Sequence, residues 1–186
     1  MAGEIDDAIE RADRDGFTRQ PPKTLQARIN FLTKQLKTTK AVAAELGVSQ
    51  RSVERYRKGE RKHPPKAIAD RIDDAVRQRW QPQVRKRRQK QAAITGGITV
   101  ETRARFGYTA PVGTTDDGRF RRLTVHLPPA YAQRLFDARN TGASDQQMRG
   151  IIAEGFKEIY FQDGGGRATG LSEVTLNDID YLDLDY

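Results

Sequence analysis

Apolar positions in the first half of the chain recur with the period of a helix. Leu25, Ile29, Leu32 and Leu36 fall at steps of four, three and four, which predicts a helix from Lys23 to Lys37 after Pro21-Pro22. A second helix is predicted from Thr39 to Leu46, ended by Gly47, because a tight interhelical turn calls for positive φ. Ser49 stands where it would N-cap a third helix from Gln50 to Lys58, which stops at Gly59. Pro64-Pro65 open a fourth, with Ile68, Ile72 and Val76 repeating toward Trp80, and Pro82 closes it.

Beyond Gly96-Gly97 the period shortens. Ile98–Thr109 and Arg119–Leu127 alternate in parts and are rich in β-branched and aromatic residues, with the turn-rich loop Ala110–Gly118 between them. A β-hairpin with a long tip is predicted. Pro128-Pro129 then open a helix through Arg139 that buries Tyr131, Leu135 and Phe136. Ser144 caps another through Gln162, with Met148, Ile151, Ile152, Phe156, Ile159 and Tyr160 inward. The fold class is therefore α+β, mostly α: an N-terminal helix-turn-helix bundle, then a β-hairpin packed with two helices, then an acidic tail. The segments read as 1–22, an acidic N-terminal stretch; 23–82, the helix-turn-helix domain; 83–97, a basic linker; 98–162, hairpin and helices; and 163–186, a Gly-rich connector with the tail.

Composition narrows the function. Leu, Ile, Val and Phe supply only 38 of 186 residues, which argues for small cores joined by solvated segments. There is no Cys, and His63 and His126 stand alone, neither with a second His at ligand spacing. Disulfides, zinc ribbons, iron–sulfur clusters and a Ser–His–Asp relay are excluded on those grounds. No apolar run approaches a membrane span, and the acidic N-terminus has no leader-like core, so a soluble, cytoplasmic protein is expected, nucleoid-associated if it binds DNA.

The net charge of +8 is unevenly spread: −3 over residues 1–22, +14 over 23–90, +3 over 91–140 and −6 over 141–186. The +14 block asks for a polyanionic partner. Within it, Thr38–Arg57 fits a helix-turn-helix, with Ala43 at the helix crossing, Gly47 in the turn, and Leu46, Val48, Val53 and Tyr56 packed inside. The outward face of the third helix carries Gln50, Arg51, Glu54, Arg55 and Lys58, side chains able to read base edges or hold phosphates. The competing use is a helical hairpin for protein contact. Arg85, Lys86, Arg87 and Arg88 read either as an arm that tracks phosphates or as a solvated linker. Arg103, Arg105, Arg119, Arg121 and Arg122 make the hairpin a basic ribbon, suited to nucleic acid or simply the open face of a sheet.

Asp116-Asp117 is an adjacent carboxylate pair on a loop, and adjacent loop acids are more often turn formers than metal ligands. No set of carboxylates converges from several elements, as a polymerase or nuclease needs, so no enzyme and no metal site are expected. Gly164-Gly165-Gly166 has no strand before it and no Lys after it, which makes it a connector rather than a phosphate loop. The tail from Leu171 to Tyr186 carries Glu173, Asp178, Asp180, Asp183 and Asp185 and no basic residue. It reads as disordered in the free protein, with docking on a basic partner or folding back on the +14 block as the alternatives.

Five blocks carry a family resemblance: Lys23–Leu32, Gly47–Tyr56, Arg79–Val84, Gly107–Gly118 and Glu158–Gln162, together with the acidic tail. Over nearly its whole length the chain resembles the telomere-protecting terminal proteins of linear actinomycete chromosomes and plasmids. The resemblance implies covalent attachment to the 5′ ends of telomeric DNA and service as a protein primer when the recessed strand opposite a 3′ overhang is filled in. It implies two protein partners, a telomere-associated protein and a DNA polymerase, and a threonine acceptor in the Gly-Thr-Thr-Asp-Asp loop. That acceptor maps onto Thr114, with Thr115 beside it. The protein would then hold no cofactor of its own, Mg2+ and deoxynucleotide entering through the polymerase. The alternative function is a sequence-specific helix-turn-helix transcriptional regulator.

Overall fold

The computed structural model of the protein describes residues 3–186. The chain forms two compact units: Phe17–Gln83, and the residues up to Gly16 together with Val84–Tyr186. The fold is α+β, with eight α-helices and one four-stranded antiparallel sheet among the described residues.

The Phe17–Gln83 unit follows the sequence expectation closely. It contains α2 (Leu25–Leu36), α3 (Thr39–Leu46), α4 (Gln50–Lys58) and α5 (Lys66–Arg79). The starts are set by side-chain caps: Thr24, Thr38 and Ser49 accept from the amides of Ala27, Ala41 and Ser52. Such caps satisfy amides that lack an intrahelical partner. Gly47 ends α3 at φ 63° and Gly59 ends α4 at φ 77°, left-handed positions that a side chain would strain. Ile29, Leu32, Val42, Ala43, Leu46, Val53, Tyr56, Ile72, Ala75 and Val76 form the core.

The second unit departs from expectation at both of its ends. The acidic N-terminal stretch, for which no element was expected, holds a helix, α1 (Glu4–Asp15), whose Ile5, Ala8 and Ile9 are fully buried. The preceding helix ends at Arg79, ahead of Pro82 as expected, but Pro82 also opens a new helix, so the basic linker is α6 (Pro82–Gln91), continued by a π turn at Ala92–Gly96. Pro suits a first helical position because its missing N–H would have had no partner there. Gly96-Gly97 is correspondingly no domain boundary.

The sheet is built around β1 (Ile98–Ala110). One edge of β1 pairs first with β3 (Arg121–Leu127), Ile98 opposite Leu127 through Ala104 opposite Arg121. Farther along, the same edge pairs with the short β2 (Gly113–Asp116), Gly107 opposite Asp116 through Ala110 opposite Gly113. The expected long loop is thus a strand after a two-residue turn at Pro111-Val112. The other edge of β1 pairs with β4 (Glu173–Asp185), so the tail expected to be disordered is a 13-residue strand. It supplies Val174, Leu176, Leu182 and Leu184 to the core. That burial offsets the ordering entropy that acidic composition alone would leave uncompensated.

Helices α1, α7 (Pro129–Asn140) and α8 (Asp145–Gly155) supply the apolar layer on one face of the sheet. After α8 the chain continues through a π turn at Phe156–Phe161. Tyr160, expected inward, is 37% exposed there. On β1 the residues facing the helices are Ile98, Val100, Thr102, Ala104 and Phe106, all buried. The buried Thr102 hydroxyl donates to the Tyr181 carbonyl, 2.7 Å away. A polar network stands beside this core. Arg139 pairs with Asp6, Glu10 and Asp13 at 2.6, 3.2 and 3.4 Å, and Arg85 pairs with Glu10 at 2.6 Å. Tyr186 donates its hydroxyl to Asp13, and burial beside that carboxylate pushes the phenol well above its usual range.

Candidate nucleic-acid interface

Two surfaces bear on the expected chemistry, one on each unit. In the Phe17–Gln83 unit, Val53 and Tyr56 of α4 are buried, which turns Gln50, Arg51, Glu54, Arg55 and Lys58 toward the opposite, outward side. Gln50 is held at that face: its amide donates to Thr39 at the start of α3 and to Glu54, each at 3.0 Å. Arg55 and Lys58 lie 3.7 and 4.0 Å from Glu60, exposed pairs of little energetic weight. Arg51 is exposed and makes no ion pair among the described residues. The side chains expected to read a groove therefore share one surface, and the start of α3 adjoins it.

Charge separates the units sharply. The Phe17–Gln83 unit holds 16 basic and six acidic residues, or +10, whereas the other unit holds 17 and 19, or −2. The −3/+14/+3/−6 pattern along the chain thus resolves into one strongly basic body and one nearly neutral one.

In the neutral unit the expected basic residues are largely engaged with carboxylates. The side chain of Arg85 is only 14% exposed, and that of Arg88 donates to the carbonyls of Ala12 and Tyr186. Both serve the fold, while Lys86 and Arg87 remain exposed. On the ribbon, Arg103 pairs with Asp180 and Arg105 with Asp178. Arg121 and Arg119 both approach Asp117, and Arg122 pairs with Glu101. Three of these five carboxylate contacts use Asp117 or Glu101 and hold their carboxyls below the usual range. The Arg121 guanidinium does so for Asp117, and Arg122 followed by the Tyr181 hydroxyl does so for Glu101.

The hairpin arm distinguishes the candidate hydroxyls. Residues paired across antiparallel strands share a face. Thr114 lies opposite Thr109, on the face away from the helices, and their hydroxyls are 3.2 Å apart. Thr115 lies opposite Tyr108, on the helix side. The Tyr108 hydroxyl is buried without a hydrogen-bond partner among the described residues, and burial raises its pKa. It is neither accessible nor easily ionised. Thr114 and Thr115 are both exposed, so it is the face that separates them; Thr114 stands two residues past the turn, where Val112 is 99% exposed.

The paired carboxylates part company as well. Asp117 is 13% exposed and fixes the bend after β2: its amide donates to the Phe106 carbonyl, and its carboxylate accepts from the Arg119 amide and the Arg121 side chain. Asp116 is exposed and accepts from Asn177 of β4 at 2.9 Å, while Thr175 donates to Asn177 at 3.0 Å. Gly107 lies beneath this chain. A Cβ there would stand 2.4 Å from Thr175 Oγ1 and 2.7 Å from Asp116 Oδ1. Sequence reasoning missed Thr109, Asn177 and Thr175, although a lone Gly inside a strand pattern marks just such a close approach.

Among the described residues no group of three or more His, Asp or Glu side chains is placed to hold a metal ion, and no helix is long and apolar enough to cross a membrane. Comparison of the chain with protein-family profiles, curated proteins and solved structures finds no match.

Proposed function

We propose that the chain is a terminal protein: it grips the end of a linear DNA through the basic helix-turn-helix unit and carries the 5′ nucleotide on Thr114. The observation that carries this reading is the setting of the Thr114 hydroxyl, exposed on the short edge strand β2 next to a two-residue turn. A primer hydroxyl must enter a polymerase site where the 3′-OH of a nucleic-acid primer would otherwise sit. A hydroxyl on an exposed edge strand beside a turn can be presented there, and a hydroxyl in the middle of the sheet cannot.

In the proposed step Thr114 Oγ attacks the α-phosphorus of a deoxynucleoside triphosphate. A P–O bond to threonine forms, the bond to pyrophosphate breaks, and the hydroxyl proton passes to a base in the polymerase site. The polymerase supplies Mg2+ and the in-line geometry, so the terminal protein is acceptor and not catalyst. The +10 unit supplies affinity for the DNA end, with Gln50, Arg51, Arg55 and Lys58 facing the duplex. Telomeric DNA with a 3′ overhang, the telomere-associated protein and the polymerase are the partners of this reading.

The test is incubation of the protein with those partners, an overhang template and an α-labelled deoxynucleotide. Label that survives denaturation and is released by alkali through β-elimination supports the reading. Protein without label contradicts it. The alternative, a helix-turn-helix transcriptional regulator, draws on the pairing of the ribbon arginines, which leaves α4 as the principal DNA-contacting surface. A regulator would bind an internal operator duplex and acquire no label.

A further inference from the structure

The open face of the sheet carries a second set of groups that the priming step does not use. Arg103 and Arg105 stand two residues apart on β1 and so project on the same side. The Phe120 ring, from the link between β2 and β3, lies 4.9 and 4.8 Å from their guanidinium carbons. Tyr181 lies opposite Arg103 on β4, with Arg122 6.0 Å from its ring. Two aromatic rings and three guanidinium groups thus share one solvent-facing surface.

Each of the two central arginines is also held by a β4 carboxylate, Arg103 by Asp180 at 2.5 Å and Arg105 by Asp178 at 3.4 Å. All four side chains are between 44 and 63% exposed, where such pairs are weak and exchange readily. Pairing between β1 and β4 is irregular at this place. The register shifts between Arg103 and Ala104 and again between Ala104 and Phe106, which gives β4 surplus residues around Asp178–Asp180. Bulges re-aim side chains and interrupt the ladder, and here they bring both carboxylates onto the arginines.

A guanidinium accepts carboxylate and phosphate oxygens alike. Aromatic rings beside guanidinium groups on an open sheet face suit unpaired bases, whose π faces a duplex keeps hidden. We propose that this face is a single-stranded DNA site, and that Asp178 and Asp180 occupy its phosphate positions until a strand displaces them. The site is one of exchange: two weak internal ion pairs give way to two phosphodiester contacts, and bases settle on Phe120 and Tyr181. The inference rests on the priming reading only for its setting. Arg105 and Thr109 are four residues apart on β1, about 13 Å, so a strand on this face would run to within a few nucleotides of Thr114.

The test measures binding of a fluorescein-labelled oligothymidylate to the full chain by anisotropy, with unlabelled duplex in excess to occupy the α4 face. Replacing two weak competitors, Asp178→Asn with Asp180→Asn, should tighten binding by at least about threefold. Phe120→Ala, or Arg103→Ala with Arg105→Ala, should weaken it by a similar or larger factor. Photocrosslinking of a 5-iododeoxyuridine oligonucleotide to the unsubstituted protein reads the same site without any variant, and should yield peptides containing Phe120 or Tyr181. Unchanged or weaker binding by the Asn variant with normal thermal melting, indifference to Phe120→Ala, or crosslinks confined to α4 would each overturn the proposal. Labelling at Thr114 is scored separately, so loss of priming with retained strand binding sinks the function and leaves this site standing.

Discussion

Gly107→Ala is the substitution with the most informative local consequence. The backbone at Gly107 imposes no left-handed conformation, so an added methyl group acts through space alone. Its Cβ would stand 2.4 Å from Thr175 Oγ1, 2.7 Å from Asp116 Oδ1 and 3.0 Å from Asn177 Nδ2. The two longer side chains can swing aside, but Thr175 is β-branched and leaves its rotamer only by giving up its bond to Asn177. The substitution therefore breaks both links of the Thr175–Asn177–Asp116 chain. At about 0.5–1.5 kcal/mol per hydrogen bond the loss is about 1–3 kcal/mol. For a protein of this size that lowers the melting temperature by several degrees, on the order of 3–10 °C. Because Asn177 ties the β2 arm to β4, labelling of Thr114 should fall more steeply than the folded fraction does. Thermal melting by circular dichroism, paired with the labelling assay below the melting range, separates the two effects. Gly118→Ala, with nothing within 4 Å of its Cβ, serves as the neutral control. A Gly107→Ala protein that melts and labels like the unsubstituted one would refute the claim that this contact positions the arm.

Other outcomes follow from the same physics. Arg139→Met removes a cation from three carboxylates, two of them on the buried residues Glu10 and Asp13, and should cost about 3–5 kcal/mol in urea denaturation. Wild-type stability would mean that α1 is not integral to its unit. Arg51→Ala with Arg55→Ala should weaken duplex binding and reduce its dependence on salt concentration, read from affinities at several ionic strengths. Equal affinity and equal slope would make α4 a protein-contact helix. Asp117 and Glu101 have folded pKa values below their unfolded ones, so their contribution to stability is present above the usual carboxylate range and is lost as pH falls through the folded values. Asp117→Asn should therefore flatten the loss of stability below about pH 4, and an unchanged acid profile would count against the Asp117–Arg121 pairing.

What the sequence disclosed and what it concealed divide along the range of the interactions involved. The helix-turn-helix unit was readable because its determinants are local. Thr24, Thr38 and Ser49 cap the helices they precede, Gly47 takes the left-handed turn, and the apolar stripe repeats within each helix. Helix α1 has its own stripe at Ile5, Ala8, Ile9 and Ala12, but the acids that obscure it find their cations at Arg85 and Arg139, far along the chain. Strand β4 was hidden for a related reason. Its alternation is broken by the bulges around Asp178–Asp180, and its partner β1 lies some seventy residues earlier. The ribbon arginines looked free because the carboxylates that meet two of them, Asp178 and Asp180, were assigned to a disordered tail. Thr114 was placed by resemblance. The fold adds what pattern could not, that Thr115 turns to the other face and the Tyr108 hydroxyl is enclosed.

The central claim is most directly tested by locating the nucleotide on the protein. After a priming reaction with one deoxynucleotide, trypsin should release the peptide from Phe106 to Arg119, which contains Tyr108, Thr109, Thr114 and Thr115 together. Tandem mass spectrometry should find one deoxynucleoside monophosphate on Thr114, and Thr114→Ala should abolish the modified peptide while Thr115→Ala retains it. A nucleotide on Tyr108, Thr109 or Thr115, or a peptide that remains unmodified while the polymerase is active on an ordinary primer, would contradict the account.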